Sequence, residues 1–419
     1  MEIFKKFAKY TWMIDILKDM SKEDRSNFLD GYKQRKTYYT RENIQANLKD
    51  MLACANCPNM CRFDCPALDV TKRETYSPAK KTQLGYFGAM GHIPLTDLSV
   101  QNALYACTTC DACREWCPMD ISAGDLLVEM RQELEKRQLI PSRLHGLGEN
   151  ADKSGTVFEE TPFRADSEFN INMPNPEIFF YIGCMDIKHQ PQTVRATINL
   201  LQFLKIPFCT FLEERQCCGG PIYKAGYRSK ALKIAKQNQA LIKASKAKLV
   251  VTNCPGCFSA LQKTYKELDE SLNIKVQHSV EYFLDKIRSG ELKPSKNLNK
   301  TITFHDPCLI SRTSSEKSHV SDFRELFQAI PGLTLKEVSL HGKETRCCGM
   351  GGGYGVSNPD NAKKLHVDRL HQLQEQKTDW IVSGCPTCEF ALQEALNSQT
   401  APADDILDFI EILWKSVSL

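Results

Sequence analysis

Four spaced groups of cysteine constrain this chain more than any other feature. Eighteen of its nineteen cysteines fall into them, and only Cys209 is left over. Two groups are compact: Cys54-x2-Cys57-x3-Cys61-x3-Cys65-Pro66 and Cys107-x2-Cys110-x2-Cys113-x3-Cys117-Pro118. The other two share a longer form: one Cys, a gap of 32 or 38 residues, Cys-Cys-Gly, a gap of 35 or 36, then Cys-Pro-x-Cys. They contribute Cys184, Cys217, Cys218, Cys254 and Cys257, and Cys308, Cys347, Cys348, Cys385 and Cys388. Thiolates set out this way bind metal, and most of these are expected to bind iron–sulfur clusters. Disulfide frameworks belong to short secreted chains and seldom repeat Cys-x2-Cys. A reducing cytoplasm is therefore the expected compartment.

At 419 residues the chain exceeds one ordinary core, so two or three domains are expected. No apolar run approaches bilayer length, and Met1-Glu-Ile-Phe-Lys-Lys lacks the form of a secretory leader. A net charge of +3 against 54 basic and 51 acidic residues gives no reason to expect nucleic acid.

The reading along the chain is an α+β multidomain protein. Residues 1–50 form a helical N-terminal extension: Ile3, Phe4, Phe7, Trp12, Met13, Ile16 and Leu17 recur at helical spacing. That face suits its own domain, a partner or a membrane surface. Residues 51–130 hold both compact groups as a bacterial-type two-cluster ferredoxin domain, and the polar stretch 131–176 reads as a linker. The rest is a duplication, 177–295 and 296–419. Ile178–Cys184 matches Ile302–Cys308, Arg215–Gly220 matches Thr345–Met350, and Val250–Cys257 matches Ile381–Cys388. Strands are expected at Ile178–Ile182, Pro207–Leu212 and Lys248–Thr252, and at Thr301–Phe304, Leu333–Val338 and Trp380–Val382, with a long helix between the last two strands of the first copy. Each copy is then a small parallel sheet flanked by helices, with cysteines just past the strand ends, where open α/β sheets bind their ligands.

Cys107-x2-Cys110-x2-Cys113-x3-Cys117-Pro118 is the bacterial ferredoxin run for a 4Fe–4S cubane, in which the fourth Cys crosses to the partner cluster. The first group departs by one residue between Cys57 and Cys61 but keeps four thiolates before a proline. Zinc prefers two separated pairs to a dense quartet. Adjacent cysteines cannot both face one site from a regular strand or helix. Gly219, Gly220, Gly349, Gly351 and Gly352 therefore suggest tight turns and close backbone approach to a cofactor. The glycine run after Cys348 lacks the Lys-Ser/Thr of a phosphate-binding loop.

The paired Cys-Cys-Gly…Cys-Pro-x-Cys domains resemble the cysteine-rich (CCG) domains of the heterodisulfide reductase family. With a ferredoxin-like domain ahead of them, the layout resembles that family's catalytic iron–sulfur subunit, and also the iron–sulfur subunits of glycolate oxidase and anaerobic glycerol-3-phosphate dehydrogenase. The resemblance implies a non-cubane 4Fe–4S cluster at each five-cysteine motif, beside two cubanes, with zinc as an alternative at one CCG site. His305-Asp306-Pro307-Cys308-Leu309-Ile310-Ser311-Arg312 carries the family's motif with its hydrophobic slot displaced by one. His305 is a candidate proton donor, its bland reading a hydrogen bond to a sulfur or a carbonyl. Arg312, Arg346 and Arg215 are candidates to hold an anionic substrate or to offset cluster charge. Cys209 reads as a small core residue.

The resulting expectation is an oxidoreductase subunit, cytoplasmic or membrane-associated through a partner, that carries electrons through the cubanes to reduce a small-molecule or protein disulfide. Its partners would be other subunits of a redox complex, a flavoprotein or a membrane cytochrome. One rival is the wiring subunit of a flavin-dependent 2-hydroxyacid or glycerol-3-phosphate dehydrogenase, passing electrons toward quinone. The other is a zinc-stabilised interaction module.

Overall fold

The structure, a computed structural model, describes residues 16–41, 43–164, 166–213, 215–312, 318–399 and 405–417. Of the N-terminal helical pattern, only Ile16 and Leu17 fall among the described residues. Past them, helices Lys22–Gln34 and Lys36–Tyr39 bury nothing, and Phe28, Leu29, Tyr32 and Tyr38 stay exposed. The expected boundary at residue 50 falls inside helix Leu48–Ala55. This helix is capped by Asn47 and buries Leu48 and Met51 against helix Pro78–Met90.

The compact cysteine groups sit on a small helical body. Helices Pro78–Met90, Leu98–Tyr105 and Ala123–Lys136 cross closely, and a β-carbon on Gly85 would lie 3.2 Å from Met130 and 3.4 Å from Leu104. Short side chains at the crossing let the backbones approach.

Each cysteine-rich copy is a four-stranded parallel sheet. In the first, β1 (Ile178–Phe180), β2 (Phe208–Cys209), β3 (Leu249–Thr252) and β4 (Val276–His278) run in the order β2-β1-β3-β4. In the second, β5 (Lys300–His305), β6 (Leu333–Leu335), β7 (Trp380–Ser383) and β8 (Asp405–Asp408) repeat it as β6-β5-β7-β8. β1 is buried on both faces, which is why Ile178-Phe179-Phe180 does not alternate with polar residues. β4 and β8 have no signal in the sequence: Val-Gln-His and Asp-Ile-Leu-Asp are held by backbone pairing to β3 and β7 rather than by propensity. β2 and β6 are shorter than their hydrophobic runs.

The segment 131–176 is not a free linker. Helix Ala123–Lys136 continues into it, and helix His145–Lys153 follows. Leu144, Leu147, Phe163 and Phe169 then join the core. Asn172 bridges Cys209 in antiparallel fashion, covering the open edge of β2. Of its charged side chains, Glu159, Glu160, Arg164, Asp166 and Glu168 stay exposed, and its few apolar residues do the packing.

The two copies are fastened reciprocally. Helix Ser279–Arg288, after β4, packs on helix Val320–Gln328 of the second copy, and helix Phe409–Val417, after β8, packs on helix Pro191–Phe203 of the first. Phe258, His278, His319, Phe323 and Phe409 form one ring cluster across this seam. No helix among the described residues is long and apolar enough to cross a membrane.

Candidate iron–sulfur centre

The Cys-Pro pairs have a local purpose. Cys65, Cys254 and Cys385 are each the N-cap of a helix whose first residue is Pro66, Pro255 or Pro386. Proline suits that position because its missing N–H is unneeded there. The cysteine is thereby left in extended backbone, aimed off the positive end of the helix, which favours a thiolate. Cys184 and Cys308 open helices directly after Gly183 and Pro307.

All nineteen cysteines are free thiols. In the compact groups the fourth cysteines cross over. Cys117 lies with Cys54, Cys57 and Cys61, while Cys65 lies with Cys107 and Cys110, which also neighbour Cys113. Burial and crowding push the Cys61 thiol up to about 12. Lys81 is buried beside the second quartet, its ammonium 3.6 Å from Cys65 Sγ and donating to Ala106 O at 2.8 Å. Burial pulls Lys81 down, but the sulfurs of Cys65, Cys107, Cys113 and Cys110 outweigh it and hold it protonated.

In the first five-cysteine site Cys184 Sγ is 3.7 Å from Cys217 Sγ, and Cys217, Cys218, Cys257 and Cys254 follow in contact. In the second, Cys347 touches Cys308 and Cys348, and Cys348 and Cys385 touch Cys388. Hydrogen bonds to neighbouring sulfurs, then burial and mutual repulsion, force most of these thiols upward. Gathering so many soft donors with so few compensating charges costs the fold unless a metal deprotonates them. The donor set therefore fits iron–sulfur clusters, and the chain is an iron–sulfur protein. His305, Cys348 and Cys388 also converge closely enough for one ion.

The four groups form a path whose order differs from the sequence. Cys61 lies near Cys113, joining the two quartets. Cys110 contacts Cys347 of the second cysteine-rich copy, and Cys254 of the first copy lies within electrostatic reach of Cys385. Along this path the cysteines of the second copy stand between the quartets and those of the first copy, although the ferredoxin-like body also touches the first copy directly through Arg131 and Tyr105.

His305 is buried at the end of β5. Arg369 Nε donates to its Nδ1 at 2.9 Å, which leaves the proton on Nε2, and the ring hydrogen-bonds Cys348. Burial, against the pull of Cys348, lowers its affinity for a second proton. An imidazolium acid is disfavoured there, and the geometry suits a neutral donor to sulfur. Arg312 is also committed: Nε donates to Lys343 O at 2.6 Å, Nη1 to Cys110 O at 2.8 Å and Nη2 to Thr345 O. It clamps the second quartet to the second copy rather than reaching for a substrate. Arg215 donates to Ile182 O and stacks on Tyr181 and Phe163, while Arg346 pairs with Asp64 at 3.3 Å.

The glycines divide by role. Gly219 (φ +76°) and Gly349 (φ +99°) take the left-handed turn that presents adjacent sulfurs, and a β-carbon on Gly220 would lie 3.6 Å from Cys218 Sγ. Gly351 and Gly352 face the ferredoxin-like body instead: an added β-carbon would collide with Thr108 O at the first and lie 2.8 Å from Cys107 O at the second. They permit domain approach, not cofactor approach. The Cys-Cys-Gly turns also lie well past β2 and β6, eight and twelve residues beyond the last strand residue, so only Cys184, Cys254, Cys308 and Cys385 sit near strand ends. Cys209 is buried in β2 as expected.

Sequence reasoning missed Lys81, Arg131 and Arg369. Arg131 is fully buried, donating to Leu104 O, Lys224 O, Gly352 O and Cys107 O, and so ties all three domains together. Nothing in a helix rich in Leu and Glu distinguishes it from a surface residue.

Comparison with known proteins agrees with this geometry. A family model described as a cysteine-rich domain (CCG) matches residues 178–262 and 302–393, and a 4Fe-4S dicluster domain model matches 50–121. One subunit of the dihydromethanophenazine:CoB--CoM heterodisulfide reductase of Methanosarcina acetivorans is 28% identical over 343 residues, covering 78% of this chain and 81% of that protein. One subunit of the fumarate reductase (CoM/CoB) of Methanothermobacter marburgensis is 24% identical, covering 87% of this chain and 72% of that protein. A crystal structure of a hypothetical protein from Helicobacter pylori shares the fold, with a TM-score of 0.55 at 11% identity over 99% of this chain and 76% of that one.

Proposed function

We propose that this chain, an iron–sulfur oxidoreductase polypeptide in which a 4Fe-4S dicluster domain precedes two CCG cysteine-rich domains and which is 28% identical to a heterodisulfide reductase subunit, reduces a disulfide. The observation that carries this reading is the contact of Cys110 with Cys347, continued by the approach of Cys385 to Cys254. It sets two five-thiol sites side by side at the end of a path that begins at two quartets.

In this reading Cys54, Cys57, Cys61 and Cys117 hold one cubane, and Cys65, Cys107, Cys110 and Cys113 hold the other. Cys184, Cys217, Cys218, Cys254 and Cys257, and Cys308, Cys347, Cys348, Cys385 and Cys388, hold two non-cubane clusters. Filled, the quartets supply single-electron transfer and the five-thiol sites supply iron able to take a substrate sulfur. Cleavage consumes two electrons and two protons per disulfide and releases two thiols. The protein's own part is positional. His305 keeps a neutral N–H on Cys348, Arg369 fixes its tautomer, and Arg312 holds the second quartet against the second copy. A separate polypeptide, either a flavoprotein or a membrane cytochrome, supplies the electrons, and the domains divide as 51–130, 177–295 and 296–419.

Oxygen-free purification tests this. The reading expects about sixteen irons with matching sulfide, and a paramagnetic signal from the five-thiol sites that changes when thiols are added to oxidised protein. Full iron without any such change, alongside electron acceptance from a flavin dehydrogenase, would make the chain a wiring subunit instead. A colourless protein holding zinc would remove both readings.

A further inference from the structure

We propose that the surface around Cys54, Cys57, Cys61 and Cys117 is the docking face for a separate protein carrying a one-electron redox centre, and that the contact is apolar rather than charge-steered. The proposal rests on the iron–sulfur reading of that quartet. Among the described residues few large apolar side chains lie exposed. Outside the N-terminal helices there are seven, and four of them are Met60 (62% exposed), Phe63 (69%), Trp116 (55%) and Met119 (59%). All four belong to the two loops that carry this quartet, and Met60, Trp116 and Met119 line one depression with its cysteines. Contiguous exposed apolar surface marks interaction sites.

The thiols beneath support the assignment. Cys54, Cys57, Cys61 and Cys117 are all partly exposed, whereas nine of the ten cysteines in the five-thiol sites are buried. This is the one group whose four thiols all approach the surface, at the outer end of the path that leads inward through Cys110 and Cys347.

The patch is also held in shape. Asn59, at φ +64°, donates to Ser77 Oγ at 3.1 Å, the Trp116 indole donates to Asp64, and Asp64 pairs with Arg346 at 3.3 Å. The charges at its rim are already paired, Arg62 with Glu74 at 2.5 Å and Arg114 with Asp120 at 2.6 Å. With these side-chain charges paired, association depends on covering apolar area more than on steering. One electron crosses from the partner's centre with no bond made or broken.

Met60, Met119 and Trp116 are oxidisable, so radical footprinting read by mass spectrometry reports on this face directly. The comparison is between intact cells and the purified holo-chain. Oxidation of these three residues should slow about fivefold or more in cells, as solvent exclusion at an interface requires, while exposed Tyr32 serves as the reference. Equal labelling of all four residues in both settings would overturn the proposal. A second arm uses the Phe63→Asp, Met119→Asp double variant. It should keep its iron, its cubane signal and its reduction by a viologen, yet lose both the protection of Met60 and Trp116 in cells and its reduction by cell extract. Lost protection with reduction by extract unchanged would show a redox-inactive occupant and overturn the proposal. Unchanged protection in that variant, or protection in cell extract that vanishes on raising ionic strength from 0.05 to about 0.5 M, would also sink it. Missing iron would count against the functional reading and not against the docking face.

Discussion

At the scale of single residues, the buried arginines decide how the domains meet. Arg131 makes four hydrogen bonds to carbonyls and lies over the Tyr105 ring, with no carboxylate partner. Burial lowers its proton affinity, and Cys107 and Tyr105 offset only part of that. Replacing it with methionine strands four carbonyls in the interior. Arg131→Met is expected to cost about 3–5 kcal/mol, with Arg131→Lys recovering part, as read by denaturant titration of the holo-protein. Cys209 gives the opposite test. It is fully buried, its thiol 3.8 Å from Ile178 O, and it joins no cysteine group. Cys209→Ala should lose about 1 kcal/mol and no iron, whereas alanine at Cys347 should lower the iron content.

At the scale of elements, the two Cys-Cys-Gly turns look equivalent in sequence but are packed differently. A β-carbon on Gly219 would meet Ile234 Cγ2 at 3.4 Å, an ordinary contact. On Gly349 it would lie 2.9 Å from Leu365 Cβ and 3.1 Å from Ala362 O, with backbone that cannot give way. Both glycines have positive φ, so each alanine carries about 1–2 kcal/mol of backbone strain. Only Gly349→Ala adds a clash. Thermal unfolding should therefore place Gly349→Ala clearly below Gly219→Ala, and iron analysis should find the larger deficit there. The main strands were legible from their β-branched and aromatic runs. β4 and β8 were not, because their residues are placed by neighbours already in the sheet. The segment 131–176 misled for a related reason: hydrophilic composition says nothing of a partner surface supplied by another domain.

At the scale of the molecule, the seam between the two cysteine-rich copies is expected to be acid-sensitive. His278 is buried there, its Nε2 2.7 Å from Asn253 O, and its Nδ1 accepts from Val280 N at 3.3 Å. Burial, with nearby His319, pulls it from 6.5 down to about 3. The unfolded chain therefore binds the extra proton first. The stability that neutral His278 contributes is complete above 6.5 and is lost as pH falls from there toward 3, by up to about 1.4 kcal/mol per pH unit. His278→Gln keeps a donor for Asn253 and removes the titration. Denaturation measured at several pH values between about 5 and 7.5 should show a shallower slope for the variant, and parallel slopes would refute the assignment.

What the linear chain established by itself is the inventory: thiol groups at spacings that local turns and Cys-Pro helix starts convert into ligand sets, and a duplication visible because both copies repeat the same strands and motifs. Those features depend on neighbours a few residues apart or on identical patterns, and such information survives in one dimension. The adjacency of the groups does not. That the second copy's cysteines lie between the quartets and those of the first follows from Arg131, Arg312, Gly351 and Gly352 closing one surface and from each copy's last helix packing on the other. Most of these contacts join residues about two hundred positions apart or more, and only packing in three dimensions selects among them.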